Sequence, residues 1–382
     1  MSKKLYYLVI TSLMYACVSS AISAECDTSI QPAFLPGLET NTPVLALDHF
    51  YYNNTAHIIG AELWRAVHIW QNHNNSSNNT WELNESLSTG AAGTVVMKLL
   101  TFDDPARSLL VVGGSQTNLT NGIFAVWERD KESWAYNSEV VLPYEIVVAY
   151  TNAFVSGDSH NITIIAQGLK GDGLQFFTQN NSDWKQTDLI VNDAPVVTFT
   201  DANNNLFLAS IESKGQTVRD LHYFINIWQQ HGQAWEFVVQ ISVGKHYVCE
   251  LAYTLINNLP TLIAGTEAGA LVMWQQDKQG RWPLIEEIQA HKERISGLKI
   301  VEYLDKKYLV SGSWDGTIKI WQVNQDLWQP VKTLCTKEFT GGRVESMDSF
   351  LDEQSNLIIA AGCAEGQVTC TALWSINSAE LV

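Results

Sequence analysis

The run LVSGSWDGTIKIW, Leu309 to Trp321, decides the fold, and His291 and Arg294–Ile295 stand just ahead of it. Apolar, β-branched runs flank Asp315–Gly316, and Asp-Gly between alternating hydrophobics is the strongest short-range hairpin signal. One hairpin cannot bury its own apolar faces, so this segment implies repetition elsewhere in the chain. Aromatic residues closing a predicted strand recur at Trp70, Trp127, Phe177, Trp228, Trp274, Trp321 and Trp374. A second series, opening the next strand, falls at Trp81, Trp134, Trp184, Trp235, Trp282 and Trp328. Both recur about every fifty residues, the length of a four-stranded propeller blade. Composition alone does not produce a shared period.

The Leu309–Trp321 run resembles a WD-repeat blade. In that family a His, a strand Ser, a turn Asp and a strand Trp form a buried hydrogen-bonded set. The resemblance places these on His291, Ser311, Asp315 and Trp321, as a structural tetrad and not a catalytic one. Such a set can satisfy a buried carboxylate, an imidazole and an indole N–H together. In period the resemblance spans the whole mature chain, but in detail only the sixth repeat. The fifth has Ala264 and Ala268 at the Ser and Asp places, the first four also depart, and the third lacks the strand Trp. The expected fold is all-β: seven four-stranded antiparallel blades.

Length alone would suggest two or three domains, but a closed ring accounts for 382 residues as one. Lys3 and Lys4, an apolar Leu5–Val18 and the small residues Ser19, Ser20, Ala21, Ser23 and Ala24 read as a secretory signal. Cleavage is expected after Ala24, with Ala21 and Ser23 as alternatives and lipidation at Cys17 as a minor one. The domains are then residues 1–24, the signal, and 25–382, the propeller. No apolar run is long enough for a membrane helix. The formal net charge of −17 grows more negative once Lys3 and Lys4 are removed. An acidic balance of that size repels phosphate backbones, so nucleic acid is excluded as the expected partner.

Cys26, Cys249, Cys335, Cys363 and Cys370 remain after cleavage, an odd number whose pairing the sequence leaves open. With Glu365–Gly366 as the turn, Cys370 would face Ala361 and Cys363 would face Val368, which argues against a bridge between those two. No Cys-x-x-Cys pair supports a redox motif or a zinc ribbon.

The last repeat, Val344 to Asn377, shows three strands and stops. Asp27–Glu39, with Ile30, Phe34 and Leu35 among two prolines, is therefore expected to supply its fourth, outermost strand and close the ring. Polar turns recur between the first two strands of each blade, among them Asn53–Asn54, Asn257–Asn258 and Leu304–Asp305. Asp201, Asn203, Asn205 and Glu212 mimic the spacing of a calcium loop. Leu206 stands where that loop needs Gly, so an ordinary turn is expected. His73–Asn79 reads as a solvated connection.

No nucleophile elbow, zinc motif or P-loop appears, so no catalytic residue, metal or cofactor is expected. A WD-repeat resemblance implies a non-enzymatic platform, and an exported member with degenerate repeats looks like a bacterial envelope or secreted platform. The expected partner is a protein or peptide and the expected state a monomer. Binding should fall on the face carrying the loops between strands two and three and between blades. Trp64, Arg65, Tyr144, Tyr247, Trp314 and Arg343 supply the hot-spot residue types there. The alternative is a propeller hydrolase or lectin, marked by carboxylates and His, or a metal, gathered at the central axis.

Overall fold

A computed structural model describes residues 26–381 apart from 28, 37–42, 63–65, 76–77, 89–92, 103–106, 116–121, 131–132, 142–147, 157–160, 169–172, 181–182, 202, 216–219, 233, 325–326, 337–341 and 366–367. It forms seven sheets of four strands each. Blades one to six take residues 44–88, 93–141, 148–190, 193–244, 248–289 and 295–335, four consecutive antiparallel strands apiece. Blade seven takes 343–376 and receives its outermost strand, Ala33–Phe34, from the chain's beginning. Phe34 pairs with Ala372 and Ala33 with Leu373. This is the seven-bladed ring, closed by an N-terminal strand, that the repeat period implies.

The two aromatic series explain the architecture. Each member of the first sits on strand three opposite an Ile or Leu of strand two: Trp70 faces Ile58, Phe177 faces Ile164, Trp228 faces Leu208, Trp321 faces Leu309 and Trp374 faces Ile359. In blades one to six the pairing of strands three and four slips by one residue at that aromatic. A second slip recurs near the start of the innermost strand in all seven blades. Bulges add local twist, and twisted blades pack face to face around an axis. The core accordingly lies between blades. Trp81 packs with Phe350 and Ile358 of blade seven, Trp134 with Phe50 of blade one, and Trp328 with Leu271 and Met273 of blade five. The second Trp series thus seals each blade against the one before it.

In blade seven no Trp occupies that place. Ile30 fills the seam toward blade six, and Leu35 the seam toward blade one. Pro36 O accepts from Trp70 Nε1 at 2.9 Å. Lys332 Nζ holds Asp27 at 2.8 Å, and Cys26 is disulfide-bonded to Cys335 of blade six. The segment is pinned on both sides.

Three expectations are corrected. Strand three of blade one runs to Asn75 and strand four starts at Asn78, so most of His73–Asn79 is strand rather than a connection. The last hairpin pairs Glu365 with Val368, which puts Cys363 directly opposite Cys370. Trp282 precedes its strand, Leu284–Gln289. The tight turns are as expected: Asn53, Asn54, Asn257, Asn258, Leu304 and Asp305 all have positive φ, as two-residue hairpins require.

A chain beginning at Thr40, with Cys335→Ser to avoid a stray thiol, loses the burial of Ile30 and Leu35, on the order of 3–6 kcal/mol. Its melting temperature should fall by several degrees and it should aggregate through the bared edge of blade seven. Unchanged melting by circular dichroism would show that this segment is not the closing strand.

Candidate functional site

The tetrad residues meet. Trp321 Nε1 donates to Ser311 Oγ at 2.9 Å, and Ser311 Oγ lies 2.7 Å from His291 Nε2. His291 Nδ1 is 3.3 Å from Asp315 Oδ2 and 2.9 Å from Thr317 Oγ1, which itself donates to Asp315 Oδ1 at 2.6 Å. One proton assignment satisfies every group: indole to Ser, Ser to Nε2, Nδ1–H to Asp and Thr, and Thr to Asp. Thr317 is a fifth member that the four-residue pattern misses. Burial pushes the Asp315 carboxyl up, but hydrogen bonds from His291 and Thr317 and the Lys292 amide hold it well below the usual range. Blade four keeps a reduced version, in which Asn192 Nδ2 and Trp228 Nε1 both donate to Ser210 Oγ, at 2.8 and 3.0 Å. Asn stands where His would be.

On the face above, three predicted binding residues fall in one patch across blades five to seven. Trp64, Arg65 and Tyr144 lie outside the described residues. Tyr247 is half exposed and meets Tyr223 edge-on. The Trp314 ring is partly covered, with the Arg294 guanidinium 5.2 Å from its centroid and that of Arg343 4.8 Å away. Arg294 pairs with Glu267 at 3.3 Å and Arg343 with Glu345 at 3.7 Å. Arg294 was not among the expected binding residues, although the sequence carries a signal for it. Tyr247 and Arg294 stand immediately before the innermost strand of their blades, and Arg343 is the first residue of its own.

Beneath the patch, charged residues line the innermost strands. Asp48, Lys98, Lys299 and Asp348 each sit two residues beyond the recurrent bulge. Lys299 Nζ is 3.0 Å from Asp348 Oδ1, and His49 Nδ1 is 2.7 Å from Asp348 Oδ2. Lys98 is 3.8 Å from Asp48. Burial raises the Asp348 carboxyl, but Lys299 and His49 outweigh it and hold the group ionised. Among the described residues, Asp48, His49 and Asp348 are the group that could hold a metal ion. Carboxylates and a His do gather near the axis, the arrangement the hydrolase alternative requires. The Lys299 ammonium, however, already supplies the cation that Asp348 needs, and the set ties blade six to blades seven and one.

Glu250, at the bulge level of blade five, differs. Burial pushes its carboxyl up from the ordinary 4.5 to about 7, against the pull of Arg294 and Lys299. Elsewhere, a groove of about 520 Å³ lies between blades three and four, with Trp228, Trp235 and Phe237 in its wall. The floor of that groove is self-satisfied: Asn226 and Gln240 both donate to Glu212 Oε2, at 2.9 and 2.8 Å.

Residues 282–322 match the WD40 family model, "WD domain, G-beta repeat". That span holds the complete tetrad, and the chain is a WD-repeat-like propeller. No curated protein matches. Among solved structures, the chain is similar to the crystal structure of BBS1N in complex with ARL6DN soaked with mercury, at 12% identity and a TM-score of 0.57, covering 92% of this chain and 99% of that one. The lead-soaked counterpart gives 11% identity and a TM-score of 0.58, with 92% and 99% covered. At such identity the likeness is one of fold. Among the described residues no helix is long and apolar enough to cross a membrane.

Asp315→Ala should cost about 1–3 kcal/mol, because it strands His291 and Thr317 in a buried network. Asp201→Ala should cost less, although its carboxylate does pivot an exposed turn through the Asn203 and Asn205 amides. Urea unfolding of both variants checks the order, and equal midpoints would remove the tetrad's structural role.

Glu250 binds its proton more tightly folded than unfolded, so its contribution is complete below about pH 4.5 and lost as pH rises through about 7. Glu250→Gln should therefore gain on the native protein across that window, reaching on the order of 1–3 kcal/mol at pH 8. Parallel pH–stability curves would refute this.

Proposed function

We propose that this chain is an exported, non-enzymatic platform that acts as a monomer and binds a protein or peptide partner on the Tyr247–Arg294–Trp314–Arg343 patch. The observation that carries the reading is Trp314 with the Arg294 and Arg343 guanidinium groups 5.2 and 4.8 Å from its ring centroid. With the half-exposed Tyr247 in the neighbouring blade, this concentrates the three residue types that dominate protein hot spots. The opposite face offers Asn, Asp and Leu turns, a poorer source of binding energy. The similar solved structure is a complex with a second protein, ARL6DN, which supports a propeller of this shape as a protein-binding scaffold.

Export rests on Lys3–Ala24, which lies outside the described residues, and is supported by the disulfide Cys26–Cys335, a bond that persists in oxidising compartments. The paired lysines around Asp48 and Asp348 favour the binding reading over the hydrolase or lectin one.

Mature protein used as bait, compared quantitatively with Trp314→Ala, Arg294→Ala and Arg343→Ala, identifies the partner and tests the patch together. Each substitution should weaken the purified partner by more than about 1 kcal/mol, with melting unchanged. Asn258→Gly, on the opposite face, keeps its positive φ and should leave affinity alone. The reverse pattern would move the site to the other face.

A further inference from the structure

Cys363 and Cys370 occupy the second and third strands of blade seven and are directly paired in register. Both are thiols in this structure, whereas Cys26 and Cys335 are joined. Register partners in an antiparallel pair project to the same face of the sheet. Here that face is the seam toward blade six, where Cys363 is fully buried and Cys370 packs partly buried against the same cluster. Counting from Glu365–Val368, which must be a hydrogen-bonded pair because only two residues lie between them, Cys363–Cys370 is again a hydrogen-bonded pair. Such partners hold their Cα atoms about 5.5 Å apart, inside the range disulfides span. Their Cβ atoms, at about 5 Å, stand wider than an unstrained bridge prefers.

We propose that Cys363 and Cys370 form a reversible dithiol–disulfide pair, closed by a low-molecular-weight disulfide and reopened more readily than Cys26–Cys335. Cys370, the more accessible, is the attacking group. Its thiolate displaces one thiolate from glutathione disulfide and is left in a mixed disulfide. The Cys363 thiolate then attacks the Cys370 sulfur and the second glutathione leaves. Two protein thiols give up two protons and two electrons, and one glutathione disulfide becomes two thiols. A bridge stretched at Cβ stores strain and is reduced first. Cys249 takes no part. It lies in blade five against Glu267 Oε2 at 3.3 Å, with burial pushing its thiol far up. Its strand lies outside the seam between blades six and seven that holds Cys363 and Cys370, so it is not placed to pair with either.

The native full chain is treated with glutathione disulfide, quenched in acid, alkylated after denaturation and cut after Glu residues. Cleavage at Glu353, Glu365 and Glu380 puts Cys363 and Cys370 on separate fragments. The expected result is that these fragments remain linked, and that dithiothreitol separates them at a concentration at least about tenfold below that releasing Cys26 from Cys335. In Cys363→Ser, Cys370 should instead retain glutathione. Alkylation of both residues in the treated native chain would overturn the proposal. So would a glutathione adduct that persists on Cys370 with Cys363 intact, linkage of either residue to Cys249, or release at the same dithiothreitol concentration as Cys26–Cys335. The chemistry is read covalently in the native protein, so a variant that folds poorly does not decide it.

Discussion

Everything in this molecule depends on blades having no core of their own. The apolar side chains collect in seven clusters, one per seam, and each draws on two neighbouring blades. A blade removed from the ring would bare both faces. Closure between the last blade and the first is therefore the condition on which the other six seams rest, and that seam is densely hydrogen-bonded. Ser346 Oγ donates to Val44 O at 2.7 Å, His49 stacks on Phe350 with centroids 4.4 Å apart, and Tyr51 donates to Leu351 O. The N-terminal strand adds only two paired residues. Its weight comes from Ile30 and Leu35 in the flanking seams and from the covalent tie to blade six, a loop closed across 309 residues.

The ring was legible because its periodic residues do a periodic job. One aromatic per blade opposes an Ile or Leu of strand two, and another seals the preceding seam, so both leave a fifty-residue trace in the sequence. The closing strand was legible by subtraction, since the last repeat lacked one. What was not legible turned on register. Placing the last turn one residue early set Cys363 against Val368 instead of Cys370, because moving a two-residue turn by one position shifts every cross-strand partner by two. The charged set around Asp348 was invisible for a related reason. Its members come from four strands in four blades, with Asp48 and Asp348 300 residues apart in sequence, and only the common bulge brings them to one level.

That inner set also shows how a propeller handles charge near its axis. Asp348 accepts from both His49 and Lys299, and its side chain is almost wholly buried, while a third of Lys299 faces outward. Removing Lys299 would leave a buried anion, whereas replacing the whole set by apolar residues need not destabilise the ring. Asp348 and Lys299 meet at one level of neighbouring blades, so the pair joins the innermost strands of blades six and seven across their seam.

Among the described residues the complete tetrad of blade six lies under the turn that carries Trp314, and the backbone hydrogen bonds tie the two together. Asp315 accepts from the Lys292 amide at 2.9 Å, Ser313 Oγ donates to Glu293 O at 3.0 Å, and the Trp314 amide donates to Arg294 O at 3.0 Å. The turn carrying Trp314 is thereby fastened to the segment carrying Arg294, with Gly316 at positive φ completing it. The cation–aromatic contact is built from two backbone segments locked by the buried network below, so on the proposed binding reading Trp314 is ordered before any partner arrives. Pre-ordering lowers the entropic cost of binding. Blade five makes the same backbone contact, Glu267 N to Tyr247 O at 2.9 Å, without a tetrad beneath it. Its Tyr247 is held instead by Tyr223. The tetrad of blade six thus fixes, through Asp315 and the Lys292 amide, the turn on which Trp314 stands.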